Sequence, residues 1–173
     1  MILSPNIKIK TKRLTLQPVQ DSYIDDIVEH FTNEVTRYMP FNPQGSRKDI
    51  ISFVEESKRT LSENTDLVMV ALDSNRDFVG CCGIHNITKE SVELGLWLRK
   101  NSQGKGLGTE IISALIEFLE NNFTFNYILY PVDEENIASK NIPEKLGFIP
   151  VKKYKKQKNH TTDLNIIEYR KYY

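Results

Sequence analysis

The sequence predicts a single α/β domain built on a mixed sheet, and three observations carry that expectation. Between Asp66 and Leu98 the chain breaks into short β-rich runs joined by polar turns. A glycine turn at 104–108 then opens into a stretch with helical apolar spacing. Beyond it the apolar run 125–132 (FNYILYPV) follows, with room for a right-handed crossover that makes it a parallel neighbour of the strand before the turn. At 173 residues the chain can bury a core without disulfides or a structural metal, so 1–173 is expected as one domain.

Taken in order, residues 7–18 (IKIKTKRLTLQP) alternate apolar with polar as a half-buried strand does, and Pro18 closes them. Asp21 and Ser22 are placed to cap a helix over Tyr23, Ile24, Ile27, Val28 and Phe31. Pro40, Pro43 and Gly45 break the chain before a second helical pattern, Ile50, Phe53, Val54 and Leu61, that runs to about Glu63. The runs 66–72, 77–87 and 91–98 form an antiparallel meander with turns near Asn75 and Lys89. After the glycine turn, Leu107, Ile111, Ile112, Leu115, Phe118 and Leu119 stripe one helix face. A helix at about 135–146 and strands at about 148–156 and 162–171 finish a set of about seven strands and four helices. Pro143 predicts a kink or early stop in that last helix, because an interior proline costs about 3 kcal/mol and biases Ile142 away from helical angles.

Composition removes several classes of function. Lys+Arg and Asp+Glu both number 23, so no global field favours nucleic acid or an anionic membrane. The late cluster Lys152, Lys153, Lys155, Lys156 and Lys158 reads as a solvated hairpin face. Cys81 and Cys82 are too close to staple a long loop, and no second Cys/His cluster completes a zinc site, so the chain reads as reduced, cytoplasmic and free of metal. Its start lacks the order of a signal peptide, and no stretch of about 18 apolar residues could span a bilayer. A Cys81–His85 nucleophilic pair is disfavoured, because four residues of extended chain separate the two by more than about 10 Å.

The segment from Leu98 to Glu110 joins a strand to an amphipathic helix, with glycines where the helix begins. Unpaired backbone N–H groups and the positive end of the helix dipole then share one concavity, which suits phosphate. A Cβ at 104, 106 or 108 would hold a pyrophosphate off the main chain or forbid positive φ. A Walker A loop is excluded, since Gly106 follows Lys105 where Ser or Thr is needed. The Rossmann fingerprint is also missed, because the spacing is G-x-G-x-G.

With these residues in view, Gln103-x-x-Gly106-x-Gly108 resembles the Q/R-x-x-G-x-G/A pyrophosphate loop of the GNAT acetyltransferase superfamily. Asn136-Ile-Ala-Ser139 followed by Glu144-Lys145-Leu146-Gly147-Phe148 is similar to that family's N-x-x-S/A…EKLGF segment. Lys12-Arg13-Leu14-Thr15-Leu16 and Glu34-Val35-Thr36-Arg37-Tyr38-Met39 resemble the RimJ/RimL-like branch, whose characterised members acetylate protein N-terminal amines. The likeness covers nearly the whole chain. It implies a GNAT fold with a splayed parallel pair, acetyl-CoA as co-substrate, a primary amine as acceptor, and direct attack in a ternary complex. A homodimer is compatible with it.

The resemblance also assigns residues. Leu96, Trp97 and Leu98 would pair through their main chain with the pantetheine arm, the amides of Gln103, Gly104, Lys105, Gly106, Leu107, Gly108 and Thr109 would hold the pyrophosphate, and Asn136 would meet the pantetheine or the acceptor. An attacking amine must lose a proton, the developing oxyanion needs a donor, and the leaving thiolate benefits from an acid. Many family members use a tyrosine as that acid; its position here falls on Pro143, which cannot donate. The RimJ/RimL-like branch lacks that tyrosine too, and the matching positions for its proposed serine and glutamate are Ser139 and Glu93. Asn136 and Ser139, three apart, share a helix face. Glu93 points away from Val92, Leu94, Leu96 and Leu98 unless a bulge near Gly95 changes the phase.

Acceptor loops are expected at 32–45, with Tyr38 and Phe41 as walls, and at the hairpin 150–162, with Asp133, Glu134 and Glu135 able to make an acidic mouth. Tyr130 and Trp97 read as core or pocket wall. Two other classes are open: a non-catalytic acyl-CoA-binding module, and an interaction protein whose glycine turn is only a turn.

Overall fold

The computed structural model describes residues 2–40 and 46–173; Phe41, Pro43 and Gly45, to which the sequence reading gave roles, lie outside them. The strands are β1 (Ile9–Lys10), β2 (Thr15–Pro18), β3 (Leu67–Leu72), β4 (Phe78–His85), β5 (Ser91–Leu98), β6 (Tyr127–Asp133), β7 (Ile149–Gln157) and β8 (Asp163–Tyr172). The helices are α1 (Ile24–His30), α2 (Arg47–Glu63), α3 (Leu107–Asn122) and α4 (Ile137–Lys145). The sheet runs β1-β2-β3-β4-β5-β6-β8-β7, and every neighbouring pair is antiparallel except β5 with β6.

Where boundaries differ from the sequence reading, local hydrogen bonding explains the shift. The run 7–18 divides into β1 and β2 because Thr11 closes a turn: its N–H donates to the Leu14 carbonyl, and its Oγ1 accepts the Leu14 N–H, both at 2.9 Å. Asp21 does not cap α1 but opens a short 3-10 turn and pairs with Lys58. Ser46 caps α2 by accepting the Asp49 N–H at 3.2 Å.

Helices cover both faces of the sheet. One core cluster packs Leu94, Leu98, Ile128 and Tyr130 of the sheet against Ile111, Leu115 and Leu119 of α3. The other packs Val68, Val70, Cys81 and Trp97 against Ile27 of α1 and Ile50 and Val54 of α2. β3 is buried along its whole length, as expected of a strand between two layers. Cys81 and Cys82 fall on opposite faces, as alternation requires, and burial raises both thiols, Cys82 to about 12, so neither is a working nucleophile near neutrality.

The EKLGF segment is a helix stop. Gly147 takes φ 79°, the Phe148 N–H donates to the Pro143 carbonyl at 3.0 Å, and the Gly147 N–H to the Glu144 carbonyl at 3.3 Å. This is the Schellman arrangement, in which a left-handed glycine lets the chain turn back and the next side chain, here the buried Phe148, enters the core. Pro143 lies inside α4 rather than ending it, and the helix continues to Lys145. Only the carbonyl of Ser139, four residues earlier, loses a partner to the proline.

Candidate active site

β5 and β6 pair only over Ser91–Glu93 against Tyr127–Leu129. From Leu94 onward the β6-facing edge of β5 has no strand partner, while β6 continues to Asp133. The edge of β5 at Leu96, Trp97 and Leu98 therefore borders a wedge-shaped opening, toward which Leu96 and Leu98 turn their main-chain groups while Trp97 turns its own to β4, and an extended amide chain can add there as a strand does. The Trp97 side chain turns away from it, into the α1–α2 core against Phe31 and Phe78.

The opening leads to the glycine turn. Gly104 and Gly106 take φ 72° and 75°, the left-handed values that let successive N–H groups converge. Gly106 is the N-cap of α3 and supplies no side-chain cap, so the first-turn amides of a 16-residue helix stay available for an anion. Gly108 has a different reason: a Cβ there would lie 2.9 Å from Ile142 Cδ1 and 3.5 Å from Leu96 Cδ1, so it lets α3, α4 and β5 meet beside the opening. Gln103 Nε2 donates to the Leu98 carbonyl at 2.9 Å, binding the turn to the strand end.

Arg13 fastens the turn from outside. It donates to the Lys105 carbonyl through Nη1 at 2.9 Å and to Glu110 through Nε at 2.7 Å. Burial acts to raise the Glu110 carboxyl, but hydrogen bonds from Thr11 and Arg13 outweigh it and hold the group below the usual range. Because Arg13 is half exposed, its contribution is screened. Arg13→Gln is expected to weaken acetyl-CoA binding about fivefold by loosening the turn, measured by calorimetric titration.

At the far side of the opening, Asn136 Oδ1 accepts the Ser139 N–H at 3.2 Å and so caps α4; no hydrogen bond engages its amide nitrogen among the described residues. Asn136→Ala should lower stability by about 1 kcal/mol, seen as a fall of a few degrees in thermal unfolding. Two tyrosines of the sheet pin α4 down. Tyr130 Oη lies 2.9 Å from Ser139 Oγ, and the Tyr169 hydroxyl donates to Glu144 at 2.6 Å.

Glu93 and Ser139 are not neighbours: they border the opening from opposite faces of the sheet. β4 and β5 pair in unbroken register from Gly80 opposite Leu98 to His85 opposite Glu93, so no bulge near Gly95 changes the phase. Glu93 accordingly shares the α1–α2 face with Trp97, half-buried, and accepts a long 3.4 Å hydrogen bond from Asn86 Nδ2. Ser139 belongs to the α3–α4 face through Tyr130.

Of Asp133, Glu134 and Glu135, which could make an acidic mouth, two carboxylates are already engaged. Asp133 is buried and spends its oxygens on the N–H groups of Glu135 and Asn165, and Glu134 pairs with Lys153. Sequence reasoning missed three side chains at the site. His85 lies across Gly83, whose hypothetical Cβ would fall 2.3 Å from its Nε2, with Nδ1 3.4 Å from Asp66 Oδ1. Tyr154 stands on the Glu93 side, its phenol raised by burial and then by Glu168 and Glu93. Tyr130, which reads as core or pocket wall, is also Ser139's partner. The available signal was strand pairing, which places His85 opposite Glu93.

Among the described residues no group of His, Cys, Asp or Glu could hold a metal, and no helix is long and apolar enough to cross a membrane. A family model described as acetyltransferase (GNAT) domain matches residues 13–149. The chain is 26% identical over 163 residues to an uncharacterized N-acetyltransferase p20 from Bacillus licheniformis, covering 89% of this chain and 90% of that protein. Among solved structures it resembles an acetyl transferase from Salmonella typhimurium that modifies the N-terminal serine of ribosomal protein L7/L12, with TM-score 0.83, 14% identity, and 96% and 99% of the two chains covered. It also resembles spermidine N-acetyltransferase from Vibrio cholerae in complex with CoA and spermine, with TM-score 0.79, 18% identity, and 92% and 95% covered. Splayed strands, a glycine-lined anion turn and the family match over most of the sequence converge on one assignment: the chain belongs to the GNAT acetyltransferase family, as an acetyl-CoA-dependent N-acetyltransferase.

Proposed function

We propose that the acceptor amine is a protein N-terminus or a small-molecule amine, presented on the Glu93 face of the opening, in a cytoplasmic enzyme. The observation that carries this reading is the placement of Glu93 and Ser139 on opposite faces of the sheet, bordering the gap between β5 and β6. When bound, acetyl-CoA supplies an activated acetyl thioester. The left-handed turn at Gly104 and Gly106 and the free first-turn amides of α3 fit its pyrophosphate, and the unpaired edge of Leu96, Trp97 and Leu98 fits its amide-bearing arm.

Glu93 takes the proton of the amine, directly or through one water, and Ser139 assists the sulfur from the other face. The buried thiols of Cys81 and Cys82 argue for direct attack rather than acyl transfer through the enzyme. Transfer to N-terminal peptides and to polyamines, measured side by side, tests the acceptor class. Tight acetyl-CoA binding with no transfer to any amine in a broad panel would replace this reading with a non-catalytic acyl-CoA-binding module.

A further inference from the structure

The family's tyrosine position is filled by Pro143, yet a tyrosine hydroxyl still reaches the site from the sheet. We propose that Tyr130 is a positioning residue: its hydroxyl donates to Ser139 Oγ and thereby turns the serine's own hydrogen toward the opening, to meet the sulfur. The inference rests on the acetyl-transfer reading and on Ser139's part in it.

The direction of the bond follows from satisfying hydrogens. Tyr130 is 2% exposed, and Ser139 Oγ, 2.9 Å away, is the hydroxyl's one hydrogen-bond partner among the described residues. If the serine donated, a buried phenolic hydrogen would be left without an acceptor, at a cost of about 1–3 kcal/mol. Burial also pushes Tyr130 up to about 12, so it keeps its proton at any working pH.

Ser139 Oγ is the hydroxyl of a helical serine. Such a hydroxyl commonly turns back onto a carbonyl of the preceding turn. Ser57 does so to Phe53 at 2.7 Å, and Ser62 to Arg59 at 2.6 Å. Ser139 makes no such bond, and its N–H is held by Asn136. With Tyr130 occupying a lone pair, its hydrogen is the free one. In the transfer, Glu93 takes the amine's proton as the N–C bond forms. Ser139 keeps its own proton and only hydrogen-bonds the sulfur that carries away the C–S electron pair.

The test reads the thiol itself rather than turnover. The pKa of the CoA thiol bound to the protein is obtained from the pH dependence of CoA affinity, using Ser139→Ala, Tyr130→Phe, the double variant and Tyr169→Phe. Tyr130→Phe keeps the ring that packs edge-on to Phe148, so the fold should persist, as thermal unfolding will show. Tyr169→Phe removes the other tyrosine anchor of α4 without touching Ser139 and controls for a merely structural role. The expected result is a rise of about half a unit to one unit with either Ser139→Ala or Tyr130→Phe, no further rise in the double variant, and none with Tyr169→Phe. A shift with Ser139→Ala alone, additive shifts, or an equal shift with Tyr169→Phe would overturn the positioning role and leave the serine's role intact. No shift with Ser139→Ala would remove the serine from the reaction and the inference with it.

Discussion

Gly106→Glu should abolish measurable acetyl-CoA binding, a loss of a hundredfold or more in affinity, while leaving the protein folded. Two effects add. Gly106 sits at φ 75°, and a side chain in that left-handed region costs about 1–2 kcal/mol, which pulls the turn away from the shape that gathers its amides. The new carboxylate also stands where the helix dipole would receive pyrophosphate; two unit charges about 4 Å apart repel by about 4 kcal/mol at an effective dielectric of 20. The fold tolerates the change because a Cβ at 106 meets nothing nearer than Arg13 Nη2, at 3.7 Å. Calorimetric titration of acetyl-CoA into wild type and variant decides it. Equal affinities would place the pyrophosphate outside the 103–108 turn.

Turnover should fall about 10²–10⁴-fold in Glu93→Gln, the usual contribution of a general base, with affinity for acetyl-CoA unchanged. The amide keeps the side chain's shape and its place on the α1–α2 face, so acceptor positioning survives and only the proton sink is lost. A loss below about tenfold would pass the role to another group on that face, and His85, opposite Glu93 on β4, is the first to test.

Much of the architecture was legible because it rests on periodicity. The apolar stripe from Leu107 to Leu119 and the alternation around β5 determine which faces are covered, and the structure follows them. The glycine turn was legible for the same physical reason it works: few residues other than glycine accept the φ found at 104 and 106. What escaped are contacts between segments distant in sequence. Tyr130 alternates as any core residue does, and its hydroxyl partner comes from the next element. Asp133 reads as a surface charge until β8 supplies the Asn165 amide that buries it. Pro143 was expected to disturb α4, but the Schellman stop one turn later, at Gly147, absorbs the helix end and the proline leaves one carbonyl free.

Lys158, in the hairpin of β7 and β8, is not simply solvated. Lys158 donates to the carbonyls of Thr36 and Arg37 at 2.7 and 2.6 Å, and desolvation lowers its pKa while Asp133 opposes the shift. The two segments expected to choose the acceptor, separated by more than a hundred residues, are thus riveted together by one cation. Substrate range in this enzyme should be a property of the pair. Grafting either loop alone from a relative would break the rivet, whereas exchanging both together keeps the frame against which a new acceptor is measured.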